Sequence, residues 1–359
     1  MIPDRFPLRF PAGLVLLAVL QASCASVYYP AAVKPSGLPP PRASATLAAL
    51  RDPHGPPLVI AHRGGRAWAP ENTIQGVLAA WRMGVPMVEV DVRSTSDGVP
   101  VLLHDSSLAR TAGVGERVGA IPLSEVKKAE IPFRRGSAPL RVPTLAEAVR
   151  AARGKVVLVL DLKQVETDRL LAVLEGEHAL GEVLILAHKK RQMEELARSG
   201  VRKRILLAVR AAGAAQALDF QRAFHPEVVH VSPGFLSPRL GRTLRDRGSR
   251  VWVNAFSGPD RTGKKEDYLA LIRQGADILQ TDRPVLALRA LAELPALVES
   301  GAPPSPGSLP AGKGGILVVT SSPGSSPSSC PRGWGRSRPS MRPAEARTGW
   351  FPSPSGSGG

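Results

Sequence analysis

The chain is short of cysteine, of aromatic residues and of long apolar runs. Cys24 and Cys330 are its two cysteines among 359 residues, and the stretch 56–299 holds neither. A disulfide framework is excluded there, so a fold in that stretch must be held by its core, and its length allows a large one. Aromatic residues make up 4% of the chain. They form no basic stripe interleaved with rings of the kind that binds nucleic acid. The net charge of +17 is dispersed: +5 falls in 301–359, +3 in 1–49, and the rest is spread among acids. That distribution argues against a nucleic-acid partner and favours anionic substrates or a membrane surface. The apolar run FPAGLVLLAVL, residues 10–20, is shorter than the about 20 residues a spanning helix needs.

What stands around that run is informative. Arg5 and Arg9 precede it and the small residues of QASCAS follow it, the three-part layout of a secretory signal over 1–24. Cys24 resembles the lipidated cysteine of bacterial lipoproteins, although Gln21 stands where that pattern has Leu. The expectation is export, either with membrane attachment through a lipidated Cys24 or as a free periplasmic or extracellular protein. Residues 25–55 read as a Pro/Ala-rich linker. From 301 to 359, 36 of 59 residues are Gly, Ser or Pro, so 300–359 reads as a disordered tail.

Between these flanks, short apolar runs alternate with amphipathic stretches. The expected strands are 57–62, 87–92, 99–104, 155–162, 182–188, 204–209, 227–232, 250–256 and 276–281. Stretches such as TIQGVLAAWRMG and TLAEAVRAARG separate most of them and end in Gly, a helix stop signal. Strands apolar on both faces, alternating with helices, make a parallel sheet covered by helices. About eight units in this length fit an α/β fold of the TIM (β/α)8 type. A doubly wound sheet is the alternative, but no G-x-G-x-x-G follows any strand.

One connection is irregular. Asp97-Gly98 leaves no room for a helix after 92 and reads as a two-residue turn, giving an antiparallel hairpin at 87–104. That register pairs Ser96 with Val99 and sets Asp91 opposite His104, with Glu89 on the same face. Two carboxylates on one strand face need a cation, and hard oxygen ligands select Ca²⁺ or Mg²⁺. The alternative is that both face solvent or pair with Arg93 or Lys163.

Two more clusters sit at strand ends. After PLVIA come His62, Arg63, Gly64 and Gly65: an acid/base candidate, a fork for phosphate oxygens and a backbone that a ligand can approach. Glu71 and Asn72 follow in a polar loop, and Thr73 can cap the next helix. The strand KVVLVLDLK ends with Asp161 and Lys163 on one face. Trp68 and Trp252 are candidates for the pocket mouth, though either can be core. His188 is an open candidate at a strand end, His230 reads as packing, and Asp282 is a candidate partner behind the site.

AHRG, PENT, EVDV, DGVPVLLHD, VPTLAEA, the D-L-K strand end and TDRP, in that order over residues 57–290, resemble the glycerophosphodiester phosphodiesterase family. The resemblance implies a TIM barrel over 56–299 that hydrolyses glycerophosphodiesters to sn-glycerol 3-phosphate and an alcohol. It implies His62 and His104 as the acid/base pair, Arg63 and Lys163 on phosphate, Glu71 and Trp252 at the substrate, and one divalent cation on Glu89, Asp91 and Asp161. In that family the glycerol 2-hydroxyl is the expected attacker, giving a cyclic phosphate that water opens. Three departures stand out: Asp161 replaces the family's glutamate, Ala187-His188 replaces a later Ser-Phe, and a W-T-V-N is only partly kept as Trp252, Val253 and Asn254. The competing readings are a phospholipase D-like activity on lysophospholipids or sphingomyelin, and a lipoprotein that binds phosphodiesters without turnover.

Overall fold

In the computed structural model each of the nine expected apolar runs contains a strand. They are β1 (Leu58–Ala61), β2 (Met87–Ser94), β3 (Pro100–Leu102), β4 (Val157–Gln164), β5 (Leu184–Ala187), β6 (Leu206–Arg210), β7 (Val228–His230), β8 (Arg250–Asn254) and β9 (Ile278–Thr281). The structure describes residues 37–134 and 137–294, so the expected signal segment 1–24 and tail 300–359 lie outside the described residues.

The order β1-β9-β8-β7-β6-β5-β4-β2, closed by a β1–β2 pairing, makes an eight-stranded parallel barrel. β3 runs antiparallel on the upper end of β2, beyond the point where β2 leaves β1. The helices in chain order are α1 (Ala43–Arg51), α2 (Ile74–Arg82), α3 (Ala109–Ala112), α4 (Leu123–Val126), α5 (Leu145–Ala152) and α6 (Thr167–Gly176). They continue with α7 (Lys190–Arg198), α8 (Ala214–Phe224), α9 (Pro238–Asp246), α10 (Pro259–Thr262), α11 (Lys265–Arg273) and α12 (Pro284–Ala292). At least one helix follows each barrel strand, as a TIM barrel requires.

Alternation along each strand separates two cores. Val59, Val88, Val90, Leu158, Leu160, Ile185 and Leu207 pack with the outer helices. Leu58, Ile60, Met87, Val157, Val159, Leu184 and Leu206 fill the barrel with Trp252. Moving up the strands, the interior turns polar at Glu89, Asp91, Asp161 and Gln280, all buried. The ionisable residues therefore gather at the C-terminal mouth, where a barrel builds its site.

α1 lies in the stretch read as a linker. Its Ala and Pro content suggested an unpacked tether, but Leu47 and Leu50 join the interior core at the N-terminal ends of the strands. Arg250, fully buried, donates to the carbonyls of Ala49 at 2.6 Å and Pro56 at 2.7 Å, tying α1 to the bottom of β8.

The hairpin is present, and its register differs from the expected one by a residue. Val92 pairs with Leu102 and Ser94 with Pro100. Asp91 thus faces Leu103, whose N–H donates to its carbonyl at 3.0 Å, and not His104. The loop has three residues because Thr95 pairs with Val99 and Gly98 turns the chain at φ 79°. The Thr95 hydroxyl, bonded to Asp97 and accepting from the Val99 N–H at 3.0 Å, stabilises this form over the two-residue turn.

Candidate active site

The first cluster depends on a tight turn. Arg63, Gly64 and Gly65 all adopt left-handed backbone, with φ of 47°, 70° and 73°. Such a conformation at an arginine costs roughly 1 kcal/mol or more and is sustained by its surroundings. It turns the Arg63 N–H onto Glu89 Oε2 at 2.8 Å. The helix behind must come close: a Cβ at Gly76 would stand 2.0 Å from the Gly64 carbonyl oxygen. Thr73 caps that helix, its hydroxyl accepting from the Gly76 N–H at 3.3 Å.

Three carboxylates meet inside the mouth. Parallel pairing sets Asp91 beside Asp161, and Glu89 is one alternation below on the same face. Their ligand oxygens lie within 4.8 Å of one another and all three residues are buried. Glu89 also accepts from Gln280 Nε2 at 3.0 Å, and Asp91 from Asn72 Nδ2 at 2.8 Å. Lys163 Nζ bridges Asp161 at 2.7 Å and Asp91 at 3.1 Å. Burial, then the charges of Asp91 and Asp161, push the Glu89 carboxyl well above its ordinary range. Burial alone would also raise Asp161, but the His188 hydrogen bond and charge, then Lys163, hold it below its usual value. Lys163 is held up by Asp161 and Asp91 against the opposing effect of its burial.

Both imidazoles are anchored at Nδ1. His62 Nδ1 lies 2.9 Å from Asp282 Oδ1, and its ring packs at 4.4 Å against Phe256, tilted by 31°. His104 Nδ1 lies 2.7 Å from Asp105 Oδ1, and Arg63 Nη2 donates to its Nε2 at 2.9 Å. His104 therefore carries its proton on Nδ1 and a lone pair on Nε2. Arg110 ties this layer together, donating to Glu71 at 2.6 and 2.8 Å and to Asp105 at 2.6 Å. Its hydrogen bond, against some burial and with help from His104, holds Asp105 down at about 2. Burial opposes but does not prevent the lowering of Glu71 by Arg110 and Arg63.

Residues 62–212 match the model of the Glycerophosphoryl diester phosphodiesterase family. A glycerophosphodiester phosphodiesterase of Caldanaerobacter subterraneus subsp. tengcongensis is 28% identical over 239 residues, 63% of this chain and 94% of that protein. Over residues 62–212 the chain is similar to the glycerophosphoryl diester phosphodiesterase family. Glycerophosphodiester phosphodiesterase 1 of Mus musculus is 39% identical over 109 residues, 29% of this chain. That match spans 33% of the mouse relative's own length. A solved phosphodiesterase from Oleispira antarctica, in complex with the product sn-glycerol-3-phosphate, has the same fold. Its TM-score is 0.55 at 24% identity, covering 66% of this chain and 97% of that one.

His62, Arg63, Glu89, Asp91, His104, Asp161 and Lys163 share one mouth. Glu71 sits behind Arg63 and is occupied by two arginines, so it orients the fork and is a poor contact for an anionic diester. Trp252 is fully buried beneath the mouth, its ring 4.7 Å from that of His230, and does not line the rim. Burial pushes His230 down to about 3, so it is neutral. His188 reaches the site, its Nε2 2.6 Å from Asp161 Oδ1. Arg110 and Asp105 were not singled out from the sequence. The chemistry of the acidic group suits a hard divalent cation: three buried oxygen donors share too little positive charge for all to ionise alone. Glu89, Asp91 and Asp161 would hold it.

Proposed function

We propose that this protein hydrolyses glycerophosphodiesters to sn-glycerol 3-phosphate and an alcohol, dependent on one divalent cation, Ca²⁺ or Mg²⁺. The observation that carries the reading is the double engagement of Arg63. Its backbone N–H holds a carboxylate of the acidic group while its guanidinium touches His104. A phosphodiester drawn to the Arg63 fork thus lies between the acidic group and an imidazole. The Oleispira antarctica enzyme, bound to sn-glycerol-3-phosphate, supports the product class.

The chain's own residues supply the rest. Arg63 and Lys163 bind and neutralise the phosphoryl oxygens and the charge that develops on them. When bound, the cation would add Lewis-acid polarisation of the same oxygens. His104, with its lone pair on Nε2, takes the proton of the attacking hydroxyl. His62, with Asp282 behind Nδ1, delivers a proton to the departing alkoxide oxygen. When water opens the cyclic phosphate, the proton movements reverse and both imidazoles return to their starting states.

Purified protein is incubated with glycerophosphocholine or lysophosphatidylcholine, with Ca²⁺, Mg²⁺ or EDTA, and glycerol 3-phosphate and choline are measured. Glycerol 3-phosphate from glycerophosphocholine is expected, abolished by EDTA and reduced roughly 100-fold or more in His62→Ala and His104→Ala. Choline released from the lysolipid alone would instead assign a phospholipase D-like activity. Binding of both without turnover would make the protein a phosphodiester-binding one.

Arg5, Arg9, the apolar run at 10–20 and Cys24 support export with attachment to a membrane through Cys24. Mass spectrometry of the mature N-terminus tests this: an acylated Cys24 is expected, and an unprocessed Met1 would refute it.

A further inference from the structure

Two of the residues that depart from the family pattern, Asp161 and His188, touch each other. His188 Nε2 lies 2.6 Å from Asp161 Oδ1, and Lys163 Nζ lies 2.7 Å from Asp161 Oδ2. His188 directly follows β5, the strand that runs beside β4 with Leu186 paired to Asp161. The imidazole therefore reaches sideways from the neighbouring strand onto the carboxylate. Its place is fixed from β4 itself. Gln192, buried on α7, accepts the His188 N–H at 3.2 Å and donates to the Leu162 carbonyl at 3.4 Å.

An aspartate carboxylate sits one carbon–carbon bond, about 1.5 Å, further back than a glutamate carboxylate from the same backbone position. Asp161 is the one member of the acidic group that an imidazole holds. Glu89 is held by the Arg63 N–H and Gln280, and Asp91 by Asn72 and Lys163. We propose that His188 is a positioning residue of the cation site: its Nε2–H fixes the short Asp161 carboxylate, and the two residues together replace one longer acidic side chain. The inference rests on Glu89, Asp91 and Asp161 being the cation ligands. Hydrogen bonds to ligating carboxylates set their orientation, and losing such a partner weakens affinity roughly 10–100-fold.

The test is calorimetric titration of the full chain with Ca²⁺ and with Mg²⁺, compared for wild type, His188→Leu, His188→Gln, Asp161→Glu and the double variant Asp161→Glu/His188→Leu. Unfolding midpoints in EDTA confirm that each variant folds. His188→Leu is expected to bind roughly 10–100-fold more weakly. His188→Gln, which keeps an N–H donor, should stay within about threefold of wild type, and the double variant should recover most of the loss. Three results would overturn the proposal: unchanged affinity in His188→Leu, a loss in His188→Gln as large as in His188→Leu, or losses that simply multiply in the double variant. Absence of any binding by wild type would remove the cation reading itself, whereas wild-type binding with an indifferent His188→Leu removes only the role of His188.

Discussion

Asn72 holds Asp91 at both ends. Its Nδ2 donates to Asp91 Oδ2 at 2.8 Å, and its Oδ1 accepts the Asp91 backbone N–H at 2.9 Å. Asn72 is buried and left-handed at φ 56°, a conformation asparagine tolerates better than most residues. Asn72→Ala should leave a buried N–H unpaired and lower stability by about 1–3 kcal/mol in urea unfolding. Asn72→Asp keeps the acceptor but places a second acid against Asp91, so it should bind Ca²⁺ more weakly than wild type in a calorimetric titration. Equal stability of Asn72→Ala and wild type would show that the clamp is dispensable.

Glu89 makes the cation-free protein sensitive to alkali. Its folded carboxyl is raised, by burial first and then by Asp91 and Asp161, above an ordinary value of 4.5. The folded state keeps a proton that the unfolded chain releases near that pH. The stability this provides is complete below the ordinary value and is lost as pH rises through the higher folded one. Asp105 acts oppositely, its contribution being lost only as pH falls toward about 2. In EDTA the unfolding midpoint should therefore drop as pH rises above the ordinary carboxylate value of 4.5 and through the higher folded one, and Glu89→Gln should flatten that drop. Added Ca²⁺ should raise the midpoint more at the alkaline end. A midpoint equally pH-dependent in Glu89→Gln would contradict this.

Arg110 acts on the two histidine-side loops at once. Removing it frees Glu71, which steadies Arg63, and Asp105, which steadies His104. Arg110→Ala should lower kcat/KM by up to roughly a hundredfold with glycerophosphocholine. Arg110→Lys keeps the charge without the fork and should recover only part of the loss. Full activity in Arg110→Ala would reduce the network to a surface ion pair.

Leu50 measures what α1 contributes. It is 1% exposed and packs into the barrel's lower core. Leu50→Ala should cost about 2–5 kcal/mol in urea unfolding, as for other large-to-small core substitutions. A loss under about 1 kcal/mol would mean that α1 rests on the barrel without closing it.

The barrel was legible because its strands are apolar on both faces while their ends turn ionisable. Glu89, Asp91, Asp161 and Lys163 fall inside otherwise apolar runs, where only a site or a strained core would place them. Three features were hidden for physical reasons. The hairpin register depended on the Thr95 hydroxyl, a side-chain contact that the Asp97-Gly98 pair does not announce. α1 has the composition of a tether, and only tertiary burial of Leu47 and Leu50 shows otherwise. Arg110 sits on the four-residue α3, too short to show a helical period, and its partners are 5 and 39 positions away, so no period or motif marks it.

The position of α1 also sets an orientation. It closes the barrel at the end opposite the mouth, and the chain enters it along the far end of α2, where Trp81 Nε1 donates to the Pro41 carbonyl at 3.1 Å. A tether attached upstream of residue 37 therefore joins the domain at its floor. Under the proposed attachment through Cys24, the mouth would look away from the anchoring layer, toward solutes arriving from the aqueous side.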